Sequence, residues 1–173
     1  MRSGQYLLES CRHLVYVVPG ALVNSARWVN NEAVANHEEI ELVDSVLTQL
    51  VDALKAHKVE RVLQLFRADA VLYGSEVGQE AEGGPELRKF FTEFVARPET
   101  YGWTWETPRA VKRGEIVFFI VPAVNVITWP DGSQTSRPYR LSGMLEKAYA
   151  GHWEFSFFNG AEPVPSRVGS FVE

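Results

Sequence analysis

The stretch from Glu115 to Asn159 constrains the fold more than any other part of the chain. Its β-branched and aromatic residues form three consecutive runs, Glu115–Trp129, Thr135–Tyr149 and His152–Asn159, which fit strands far better than helices. The first two are separated by Trp129-Pro130-Asp131-Gly132-Ser133, where proline presets φ and Asp-Gly supplies the positive-φ position of a hairpin. Ala150-Gly151 reverses the chain again. The spacing predicts a meander of long antiparallel strands, so function is to be sought in whatever that sheet encloses.

Composition narrows the partners. With 173 residues, 46% hydrophobic and 23% charged, the chain suits one globular domain with some excess length. A net charge of -5 opposes phosphate neutralisation, so no nucleic-acid partner is expected. Cys11 is the single cysteine, which excludes an internal disulfide and points to a reducing, cytoplasmic setting. Leu14–Val23 is half the length of a membrane span and is broken by Pro19-Gly20, so no membrane association is expected. His13, His37, His57 and His152 do not share a ligand spacing, and no glycine-rich phosphate loop opens a helix. Neither a metal nor a cofactor is therefore predicted.

The chain divides into an N-terminal extension, 1–35, a folded domain, 36–165, and a short tail, 166–173. Asn36 followed by Glu39 reads as the cap of a first helix, along which Ile40, Val43, Leu47, Leu50, Val51 and Leu54 recur at helical spacing. A second helix is expected over Val59–Phe66, then a strand at Val71–Tyr73. Gly74 to Gly84, with four glycines and three glutamates, reads as a loop without regular structure. Pro85-Glu86 opens a third helix whose face carries Leu87, Phe90, Phe91, Phe94 and Val95, and Pro98 closes it. Trp103–Lys112 reads as one further strand. The expected class is α+β: three N-terminal helices packed on a strongly bent antiparallel sheet, forming a cone around an apolar cavity.

Glu115-Ile116-Val117-Phe118-Phe119-Ile120-Val121 is apolar at nearly every position, so both sheet faces must be covered. Three helices cover one face; the other needs a second subunit or the N-terminal extension, and a homodimer through the sheet is the cheaper reading. Pro122, which cannot donate to a ladder, predicts a bulge or edge position that bends the strand.

The order of elements, with Phe66-Arg67-Ala68-Asp69-Ala70-Val71, the glycine-containing loop before Pro85-Glu86-Leu87, and Arg140-Leu141-Ser142-Gly143 leading through Gly151-His152-Trp153 to Phe155, resembles the SnoaL-like branch of the nuclear-transport-factor-2-like superfamily, over about Asn36 to Pro163. That superfamily also includes ketosteroid isomerase and scytalone dehydratase. The resemblance implies a cone that holds a small apolar, ring-type molecule, with cofactor-independent isomerisation, cyclisation or dehydration by proton transfer as one use and non-catalytic binding or dimerisation as the other. Many relatives carry a histidine near the end of the last strand. This chain has Phe157-Phe158-Asn159 there.

A carboxylate against an apolar cavity has its charged form destabilised and becomes a usable base. Glu76, in the loop at the cone mouth, is the candidate base, with Tyr73 and Asn159 as polar partners in catalysis. Strand alternation that turns Trp153, Phe155 and Phe157 inward would place Asn159 with them. The expected ligand-binding wall is then Trp153, Phe155 and Phe157 with Phe90, Phe94, Leu47 and Leu50 from the helices. Parity leaves open which sheet face Arg140 and Ser142 occupy.

Overall fold

The computed structural model of the chain describes residues 32–164. Most of the expected extension, with Cys11 and His13, and the tail lie outside the described residues. The first helix, α1, spans Glu32–Lys55, so Asn36 stands inside it and does not cap it. Its apolar face, Val43, Val46, Leu47, Leu50, Val51 and Leu54, is buried against the sheet. Helix α1 gives way to a turn in which His57 adopts φ 53° and its Nδ1 donates to the Val95 carbonyl at 2.8 Å. Helix α2 is short, Val59–Leu63, and α3 spans Gly83–Val95. A two-pronged Arg88–Glu60 ion pair ties α3 to α2.

Seven strands form one curved sheet: β1 Phe66–Tyr73, β2 Glu80–Glu82, β3 Thr100–Trp105, β4 Arg109–Arg113, β5 Ile116–Thr128, β6 Gln134–Lys147 and β7 Trp153–Ala161. Their order is β2-β1-β7-β6-β5-β3, with β4 also on β5. The meander is present as expected. Four details differ from the sequence expectation. The acidic glycine-rich segment contributes β2, which pairs antiparallel with β1. The predicted strand over Trp103–Lys112 is two strands, β3 and β4, placed end to end along β5. The sheet is not wholly antiparallel, because β1 lies parallel to β7. Residues 66–73 are one strand, so the second helix stops at Leu63 and does not reach Phe66.

Pro122 shows why a proline fits within a long strand. Its register with Arg140 of β6 is unbroken, so there is no bulge on that side. On the other side β4 pairs no further than Ile120, and β3 begins at Ala123. The missing N–H thus falls in the gap between two partner strands, where the Pro122 carbonyl still accepts from Glu106 N–H at 3.1 Å.

Along β5 the side chains alternate cleanly. Val117, Phe119, Val121, Ala123, Asn125 and Ile127 are buried under the helices. Phe118, Ile120 and Val124 face the opposite way and are about two-fifths exposed (44%, 43% and 39%). A sheet with both faces apolar is what the sequence predicts for this strand.

The inner face is filled largely by aromatic rings. Phe66, Phe91, Phe119, Phe155 and Phe158 form one cluster, with Phe66–Phe155 centroids 5.0 Å apart and Phe155–Phe158 5.1 Å. A second row, Phe90, Phe94, Tyr101, Trp103 and Tyr139, runs from α3 across β3 to β6. Between that row and α1 the core is open.

Candidate ligand site

The opening is an apolar cleft of about 60 Å³. Helix α1 supplies Leu47, Leu50, Val51 and Leu54, and α3 supplies Phe90, Phe91 and Phe94. The sheet adds Leu72, Trp103, Tyr139, Leu141, Phe158 and Gly160, while Tyr73, Gly74 and Gln79 form the rim.

Of the residues predicted from sequence, Leu47, Leu50, Phe90 and Phe94 line the cleft. Tyr73 borders it, but its ring lies on the outer face of the sheet, 46% of the residue exposed and its centroid 6.4 Å from that of Phe157. Trp153, Phe155, Phe157, Asn159 and Glu76 do not line it. For two of them, Phe157 and Asn159, the cause is a bulge. In the β6–β7 ladder Leu145 pairs with Phe155 and Met144 with Phe157, so Ser156 is an extra residue and the alternation reverses there. Phe158 and Gly160 therefore face the cleft, while Phe157 and Asn159 face outward, where the Asn159 amide donates to Ser142 Oγ at 3.3 Å. Phe155 remains inward but is sealed in the core beneath the cleft. Trp153 lies at the far end of β7, beside Leu42, Val46 and Gln49 of α1. Arg140 and Ser142 share the outer face with Asn159.

The cleft residues that the sequence did not assign to the site are Val51, Leu54 and Phe91 from the helices, Gly74 and Gln79 from the rim, and Leu72, Trp103, Tyr139, Leu141, Phe158 and Gly160 from the sheet. Gly160 carries a signal. A Cβ at Gly160 would lie 2.4 Å from the Tyr139 hydroxyl, so the tyrosine ring needs the bare backbone of β7 beneath it. Burial pushes the Tyr139 phenol above its usual pKa, with a smaller opposing effect from Ser75.

Glu76 sits at the rim, on a loop that closes on itself. Gln79 Oε1 accepts from Glu76 N–H, Gln79 Nε2 donates to the Glu76 carboxylate, and Gly74 N–H bonds the Gln79 carbonyl at 2.6 Å. Arg97, at the end of α3, reaches the same carboxylate at 3.5 Å and donates to the Tyr101 hydroxyl at 3.1 Å. Its guanidinium lies over the Phe94 and Tyr101 rings. The bond to Tyr101, more than the carboxylate, holds the Arg97 pKa above its usual value. Tyr101 in turn donates to Glu99 at 2.7 Å, which lowers the Glu99 pKa, whereas burial chiefly raises that of Tyr101. The charges thus stand around the mouth, and the interior is left apolar.

Four buried polar atoms lack partners among the described residues: Glu39 Oε2, Trp103 Nε1, Asn125 Oδ1 and Ser156 Oγ. Each such group costs about 1–3 kcal/mol when nothing bonds it. No group of three or more His, Cys, Asp or Glu among the described residues is placed to hold a metal ion, and no helix there is long and apolar enough to cross a membrane.

A curved sheet packed against helices, with an apolar cleft between α1, α3 and the sheet, defines an α+β domain. Residues 47–161 match the SnoaL-like domain model, and the chain belongs to that family, whose fold superfamily includes isomerases and dehydratases. Among solved structures it is similar to a ketosteroid isomerase-like protein from Erwinia carotovora atroseptica (19% identity, TM-score 0.62, covering 75% of this chain and 99% of that one). It is also similar to a cystatin-like-fold protein from Caulobacter vibrioides (18%, 0.58, covering 74% and 92%). A third, from Catenulispora acidiphila in complex with S-DNPA, gives 17% identity and a TM-score of 0.63, covering 70% and 91%. At these identities the likeness is one of fold. No curated protein matches the sequence.

Proposed function

We propose that the chain binds a small apolar ring molecule in the cleft, and that it does so without a carboxylate or imidazole base of its own inside the site. One observation carries this: none of the described residues lining the cleft is Asp, Glu, His, Lys or Arg. A base must stand within hydrogen-bond reach of the substrate, and the Tyr139 phenol in the lining is held protonated by burial, so it can donate but does not rest as a base. The solved relative that holds S-DNPA supports small-molecule binding as a use of this fold. At about 60 Å³ the cleft is smaller than the roughly 150 Å³ cavity that admits benzene, so a ring enters only as the cleft widens. Benzene should raise the melting temperature saturably, because a ligand selective for the folded state stabilises it by mass action. No shift up to the solubility limit overturns the reading.

A second reading, a cofactor-independent isomerase, cyclase or dehydratase with Glu76 as base, is favoured by one feature: Gly74 and Gln79, which bracket Glu76 in the rim loop, do line the cleft. Movement of that loop would bring the carboxylate to a bound ring. Glu76→Gln should then keep ligand binding and abolish turnover, and a fully active variant removes Glu76 from the mechanism.

The same proposal includes a homodimer through the outer sheet face, supported by exposed Phe118, Ile120 and Val124, and a cytoplasmic location, supported by the single cysteine.

A further inference from the structure

Arg97 is a cation held against the cleft without a close anionic partner. It follows the wall residue Phe94 by three positions, and its guanidinium carbon lies 5.6 Å from the centroid of that ring and 5.8 Å from that of Tyr101. The side chain is 32% exposed, so the charge is largely covered yet reachable from solvent. One end of the guanidinium is fixed. Nη1 donates to the Tyr101 hydroxyl at 3.1 Å, and that hydroxyl, whose own proton goes to Glu99, is left to accept. The other end faces Glu76. Nη2 stands 3.5 Å from Glu76 Oε2, well beyond the roughly 2.7–2.9 Å of a charge-assisted bond, and the same oxygen already accepts from Gln79 Nε2. Gly74 and Gln79, on either side of Glu76, line the cleft, so Nη2 faces the segment that borders the opening.

A planar carboxylate fits that end of the guanidinium, which carries parallel donors in a rigid fork. A single cation beside Glu76 balances one negative charge, which favours a carboxylate over a phosphate dianion. We propose that Arg97 sets the specificity of the cleft by taking the carboxylate of an arylalkanoic acid whose ring occupies the apolar interior, with Glu76 holding the guanidinium until that carboxylate displaces it. This rests on the ligand-binding reading above and adds the chemical class of the ligand and the residue that selects it.

The test compares phenylacetate and 3-phenylpropanoate, each with its primary amide, on the full chain by titration calorimetry at neutral pH and low salt, with benzene as the control for the cleft itself. At least one acid should bind about fivefold more tightly than its amide, and the ratio should fall toward one in about 1 M salt, where the screening length is about 3 Å. Arg97→Gln should bring the ratio to one, whereas Arg97→Lys should keep part of it, because the charge remains and the planar fork is lost. Glu76→Gln should raise the affinity for that acid about two- to threefold, since the competing carboxylate is gone. A purely structural Arg97–Glu76 contact gives no such gain, and an unchanged or weaker affinity in Glu76→Gln overturns the displacement. Benzene binding with neither acid preferred over its amide overturns the assignment of Arg97 alone, and failure of every ring, benzene included, overturns it together with the cleft reading. An acid preference that persists in Arg97→Gln also overturns it, by placing the carboxylate elsewhere. The acid–amide and salt comparisons need no variant, so a poorly folded substitution does not remove the test.

Discussion

Leu50→Ala tests whether the cleft is a held-open space or a packing gap. Leu50 is 4% exposed and forms part of the α1 wall opposite the aromatic row. In well-packed interiors Leu→Ala costs about 2.7 kcal/mol where the structure closes over the gap and about 5.0 kcal/mol where it does not, rising by about 24 cal/mol per Å³. That spread of about 2.3 kcal/mol corresponds to roughly 100 Å³ of retained space. Added to a cleft of about 60 Å³, it gives roughly 160 Å³, just above the size that admits benzene. The walls facing Leu50 are rings braced against one another, Phe94 on Tyr101 at 4.8 Å and Phe90 on Phe91 at 5.3 Å, so they are expected to hold. The expected result is a loss of about 4–5 kcal/mol in urea unfolding with an unchanged m-value, together with tighter benzene binding. Leu50→Met, which keeps the volume, should cost under about 1.5 kcal/mol and leave the benzene response alone. A loss below about 2 kcal/mol with no gain in benzene affinity would refute the reasoning.

Three further outcomes follow from the geometry. Arg97→Met should lower stability by less than about 1 kcal/mol, because the Glu76 contact is long and exposed, yet it should speed amide exchange across residues 74–79; an unchanged exchange rate there would detach Arg97 from the loop. Tyr101 and Tyr139 both have folded-state pKa values raised above the ordinary value near 10, so their contribution is complete below about pH 10 and is lost as pH rises through the folded values. Melting temperature should fall above about pH 10, less steeply in Tyr139→Phe, and identical alkaline profiles for the two proteins would sink that assignment. Ile120→Glu, which places a charge in the middle of the apolar outer face, should convert a dimer to monomer in light scattering; a parent protein already monomeric at micromolar concentration would remove the interface.

What the sequence revealed follows from how far each signal reaches along the chain. The β5–β6 hairpin is written locally: Gly132 adopts φ 82°, and Asp131 Oδ1 accepts from the Ser133 backbone N–H at 2.9 Å and also from its hydroxyl. The doubly apolar face of β5 was equally legible, since unbroken alternation needs only the residues themselves. The parallel β1–β7 pairing joins segments some ninety positions apart, and no local pattern specifies it. A single extra residue in β7 turns Phe157 and Asn159 away from the cleft. Counting inward faces from Trp153 is correct as far as Phe155, then fails at Ser156, because a bulge shifts parity without any compositional mark. The glycines carry the correction. A Cβ at Gly143 would lie 2.5 Å from the Phe157 carbonyl and 2.9 Å from the Phe119 ring, and one at Gly160 would strike Tyr139. Both glycines therefore belong to the inner face, which forces their neighbour Phe158 inward with them. The bulge thus has a positional consequence for both surfaces of the sheet. It delivers Phe158 to the cleft and Phe157 to the apolar outer face, so one extra residue supplies an aromatic ring to the proposed ligand site and another to the proposed dimer interface.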